Sequence, residues 1–166
     1  MNICRIHMEN ILPEHAEAIM AYAVENEYPE IMGRAAPLLL NKSLEEIVVK
    51  MPEKLIVPWV RYNGKWLECT QTAFVRRTEV FEHGLTVYQC NYNASSNYCG
   101  SCSRSPEIFI SQILGELLKG AASLKSLDTT FDPSFSCCDH TKPALMAWRS
   151  AVEADIKNIP NFTTLL

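Results

Sequence analysis

The chain has 166 residues, 48% of them hydrophobic and 20% charged, with a formal net charge of −4. That length suits one domain or two very small ones, and the apolar-to-charged balance is that of a folded chain. The acidic balance argues against a nucleic-acid surface, which needs clustered Lys and Arg to displace counterions. The apolar run Ala35 to Leu40 is far shorter than the roughly 20 residues of a membrane-spanning helix.

The first periodic segment is PEHAEAIMAYAVEN, residues 13–26. Pro13 suits a first helical position, Glu14 suits the positive end of the helix dipole, and Ala16, Ile19, Met20, Ala23 and Val24 fall on one face. Pro29 ends this helix and opens a second over about 29–40, with Ile31, Met32, Ala35, Ala36 and Leu39 turned inward. The short connection predicts an antiparallel hairpin of the two. Ile11, Leu12, Leu38 and Leu40 fall partly off its shared face. They are therefore the candidate partner-binding residues, within an expected exposed patch of several hundred Å².

Ser43 and Glu46 form a capping-box pair, which starts a third helix with Leu44, Ile47, Val48 and Met51 as its buried stripe. After Pro58, the residues Trp59, Tyr62, Trp66, Cys69 and Ala73 repeat at helical spacing and place both tryptophans on one face of a long helix. Gly64 inside it costs about 1 kcal/mol relative to alanine. A tryptophan stripe at this spacing reads as core before it reads as a partner surface. Residues 77–90 are rich in β-branched and aromatic types around Gly84, which predicts a short β-hairpin.

Two aperiodic, Cys-bearing segments follow, one on each side of a helix over 105–119. Ser105 caps that helix, Pro106 opens it, and Ile110, Ile113, Leu114, Leu117 and Leu118 line its inner face. Gly120 ends it. A last helix over about 143–158 aligns Leu145, Trp148, Val152, Ile156 and Ile159 before Pro160 stops it. The expected fold is mainly α, a bundle of about six helices with one short hairpin and two Cys-bearing irregular loops. Its N-terminal helical part covers 1–76 and its Cys-bearing part 77–166, packed as one unit.

Seven cysteines, an odd number with no export signal ahead of them, favour thiols or metal ligation over disulfides and point to the cytoplasm or nucleus. Cys99 and Cys102 are separated by two residues, and CCDH supplies Cys137, Cys138 and His140. Cys99, Cys102, Cys138 and His140 could hold a structural Zn²⁺ with Zn–S distances of roughly 2.3 Å. The Cys-x-His spacing is tighter than that of known fingers. A reading with Cys137 and Cys138 as core cysteines under Phe131 and Phe135, and Cys99 and Cys102 as loop thiols, fits slightly better. A redox pair fits less well, because no βαβ unit surrounds the Cys-x-x-Cys. No phosphate-binding glycine loop is present, and no cysteine has a local activating neighbour, so no catalytic residue is assigned.

One family resemblance covers most of the chain. Tyr22, Ala23, Tyr28, Pro29, Ala35, Ala36, Pro37, Leu44, Pro52, Trp59, Tyr62 and Trp66 form a pattern similar to the BACK-like segment after the BTB/POZ domain of mushroom-type fungal proteins. Cys137, Cys138, Leu145, Trp148, Arg149, Ile159, Pro160 and Phe162 resemble their C-terminus. The BTB core itself has no counterpart here, so the chain reads as the C-terminal part of such a protein or a truncated relative. The resemblance implies a non-enzymatic protein-interaction module in ubiquitin-ligase adaptor or transcription-regulator settings. Its implied partner is a BTB-type domain or a cullin-type scaffold. The alternatives are a zinc-stabilised structural domain and, behind it, a thiol-dependent enzyme.

Overall fold

A computed structural model of the chain describes residues 2–87, 106–132, 134 and 142–166. It is mainly helical, and no strand occurs among the described residues. In chain order the α-helices are α1 (Asn2–Glu25), α2 (Pro29–Leu39), α3 (Leu44–Lys50), α4 (Glu53–Val87), α5 (Pro106–Leu117), α6 (Leu127–Thr130) and α7 (Lys142–Lys157). Two 3₁₀ segments, Ala121–Lys125 and Phe162–Leu165, are also present among the described residues. The chain forms two compact units: residues 1–65 with 159–166, and residues 66–158. The sequence reading places its border at 76/77. The observed division falls inside α4, whose first 13 residues belong to the first unit.

In the first unit α1 and α2 pack against each other as the expected helical hairpin. The turn between them uses Glu27 in the left-handed region, φ 57°, and the Tyr28 N–H donates to the Ala23 carbonyl oxygen at 2.8 Å. That bond closes the end of α1 in the manner of a Schellman motif, for which glycine is the usual residue. α1 begins well before Pro13, contrary to the expected start there. Pro13 lies inside the helix and the backbone leaves helical geometry at His15 (φ −124°, ψ 30°), so two helical runs meet at a kink. Pro13 has no N–H to donate one turn back, which weakens the ladder at this point.

α3 opens on the capping box. The Glu46 N–H donates to Ser43 Oγ at 3.2 Å, and the Ser43 N–H donates to Glu46 Oε2 at 3.0 Å. Leu44, expected in the buried stripe, is exposed, while Ile47 one turn on is buried. α4 starts at Glu53 and carries Pro58 within its second turn. Leu55 and Trp59, both buried, anchor the helix on either side of the proline. The core closes with Phe162 from the C-terminal 3₁₀ turn. Its ring meets Tyr62 edge-on at 5.5 Å and Trp59 at 6.2 Å.

In the second unit Trp66, Cys69, Thr70 and Ala73 of α4 are buried, as are Ile113 and Leu117 of α5 and Leu145, Trp148 and Val152 of α7. Trp148 Nε1 donates to the Ala73 carbonyl oxygen at 2.8 Å, and the Trp148 ring meets Phe131 edge-on at 5.2 Å. Arg76 of α4 forms a two-point ion pair with Asp155 of α7, with Nη2 2.8 Å from Oδ1 and Nε bonded to Oδ2. Leu118, expected on the inner face of α5, is 76% exposed. The helix ends at Leu117, and Gly120 (φ 90°) turns the chain away.

The hairpin expected over 77–90 is corrected by the structure. α4 stays helical through Gly84 to Val87, and residues 88–90 lie outside the described residues. Once a helix is nucleated, each added residue gains a backbone hydrogen bond, so one glycine at about 1 kcal/mol does not stop it.

Candidate interaction surface

The four residues expected to meet a partner divide into two kinds. Leu12 and Leu40 are 5% and 7% exposed, so the chain's own core covers them. Ile11 and Leu38 are half-buried. The four therefore form no open apolar patch. Cys99, Cys102, Cys138 and His140 lie outside the described residues, as does Cys137. Among the described residues no group of three or more His, Cys, Asp or Glu side chains could hold a metal ion.

An apolar surface that the sequence reading overlooked lies on α4. At 100° per residue, the buried Leu55, Trp59 and Tyr62 share one face, while Val57, Val60 and Gly64 fall within roughly 60° of one another on nearly the opposite side. Val57 is 58% and Val60 45% exposed. In the second unit the same helix exposes Leu67 and Val75, at 44% and 61%. The same side also carries the exposed Glu53 in the first unit and Glu68 and Gln71 in the second, so its apolar exposure is interrupted by polar residues. The usual surface helix has one apolar stripe and a polar back.

Gly64 lies in the middle of this outer face. Among the described residues, a Cβ placed there meets nothing within 4 Å. Along one edge of the face run Lys54, Arg61 and Lys65, all exposed and spaced at i, i+7 and i+11. That spacing holds the three cations within roughly 40° around the helix. The exposed carboxylates Glu53 and Glu68 lie next to them on the same side of the helix, so the edge is of mixed charge.

Beside this face the first unit has a groove of about 440 Å³ lined by Val24, Pro29, Met32 and Leu55, with Leu166 at one side and Glu27 and Lys54 at its charged rim. Elsewhere in the same unit Glu17 receives Lys50 Nζ at 3.0 Å, with Lys42 Nζ 3.6 Å from its other oxygen. The Lys50 hydrogen bond holds the Glu17 carboxyl below the usual range. Such exposed pairs contribute at most about 1 kcal/mol each.

In the second unit burial pushes the Cys69 thiol up to about 11, with the Asp155 charge adding to the effect. A thiol so placed stays protonated at neutral pH and is a poor nucleophile. Burial also lowers the pKa of Lys125. No described helix is long and apolar enough to cross a membrane. Comparison with protein-family models, with curated proteins and with solved structures finds no match to this chain.

Proposed function

We propose that this chain is a helical protein-interaction module and that the exposed side of α4 in the first unit, around Val57 and Val60, is its contact surface. The observation that carries the reading is the pair of exposed valines, Val57 and Val60, on the side of α4 opposite its buried stripe. Val57 and Val60 in the first unit, and Leu67 and Val75 in the second, spend valine and leucine side chains on water. Grouped apolar exposure of this kind marks surfaces that another macromolecule covers. The resemblance of Trp59, Tyr62 and Trp66 to the post-BTB pattern agrees with it, since that pattern consists of core positions that shape a scaffold. A BTB-type domain or a cullin-type scaffold is the partner class the resemblance suggests.

Quantitative affinity purification from the source cells tests the proposal. Wild-type chain is compared with Val57→Lys/Val60→Lys and with Leu67→Lys/Val75→Lys. All four positions are exposed, so melting temperatures stay close to wild type. A stoichiometric protein partner recovered by wild type and lost in Val57→Lys/Val60→Lys supports the proposal. No stoichiometric partner, or one retained by Val57→Lys/Val60→Lys, overturns it.

A further inference from the structure

We draw no further inference here: the strongest candidate, the groove of the first unit between Val24, Met32, Leu55 and Leu166, carries nothing, because its rim charges Glu27 and Lys54 are of opposite sign and nothing in the structure shows what covers it.

Discussion

The two units bury tryptophan in different ways. In the first, Trp59 is held by rings: Tyr62 at 5.8 Å and Phe162 at 6.2 Å, with Tyr62 and Phe162 also in contact. In the second, Trp148 is held by a ring and a hydrogen bond together, Phe131 at 5.2 Å and the Ala73 carbonyl at 2.8 Å, with the Arg76–Asp155 ion pair joining the same two helices. Ring contacts tolerate small shifts and ignore pH. A directed N–H bond and a two-point ion pair fix the register of α7 on α4 and respond to charge. The first unit is therefore built mainly by apolar fit and the second by fit plus polar registration.

The largest expected effects come from removing the rings. Phe162→Ala and Trp148→Ala each cost about 3–5 kcal/mol, the usual range for emptying a buried aromatic site. Denaturant unfolding checks both. The comparison sharpens with Trp148→Phe, which keeps most of the ring but loses the bond to Ala73 and costs about 1–2 kcal/mol beyond the lost area. Equal losses for Trp148→Phe and a conservative change at Phe162, such as Phe162→Leu, would erase the distinction.

Arg76→Met leaves the Asp155 carboxylate, 19% exposed, without its guanidinium. Because the pair keeps some water, the cost is about 1–2 kcal/mol, less than for a fully buried pair. The double variant Arg76→Met/Asp155→Leu regains most of it. Thermal melts of the two singles and the double close the cycle, and additive losses would show that the pair does not act as one.

Alkaline pH separates the units next. Cys69 titrates near 11 in the folded chain against an ordinary value of 9.0. The folded state therefore holds the proton more tightly than the unfolded state between those values. The stability this contributes is complete below about pH 9 and is lost as pH rises toward 11. Cys69→Ala should flatten that slope. Alkylation by iodoacetamide at pH 8 should leave Cys69 unmodified in the folded chain.

The smallest effects come from two glycines. A Cβ on Gly33 would stand 2.8 Å from Asn161 Oδ1, the atom that accepts the Thr163 N–H and caps the C-terminal 3₁₀ turn. A Cβ on Gly115 meets nothing within 4 Å. Gly115→Ala gains about 1 kcal/mol from helix propensity, and Gly33→Ala falls about 1 kcal/mol behind it because the cap is displaced. Identical melting shifts for the two would mean that Asn161 moves freely.

The local rules were legible wherever one residue type has one job. Ser43 and Glu46 predicted the start of α3, and Ile31, Met32, Ala35, Ala36 and Leu39 predicted the buried face of α2. Trp59, Tyr62, Trp66, Cys69 and Ala73 predicted the inner face of α4. Residues 77–87 misled because β-branched and aromatic composition is a weak bias that a helix already under way overrides. Pro13 misled as a helix start because a helical run precedes it, and its effect shows instead as the kink at His15. The outer face of α4 was missed for a different reason. Val57, Val60, Leu67 and Val75 keep the same period as the tryptophan stripe, offset by roughly 160° at 100° per residue, and one stripe per helix was assumed.

The central claim is that this outer face meets a partner. Photocrosslinking from p-benzoylphenylalanine placed at position 60, with position 49 as control, tests it most directly in the source cells. Both sites are exposed, Val49 more so than Val60. The account predicts one discrete protein adduct from position 60 that position 49 does not give. No adduct from position 60, or the same adducts from both positions, would contradict it.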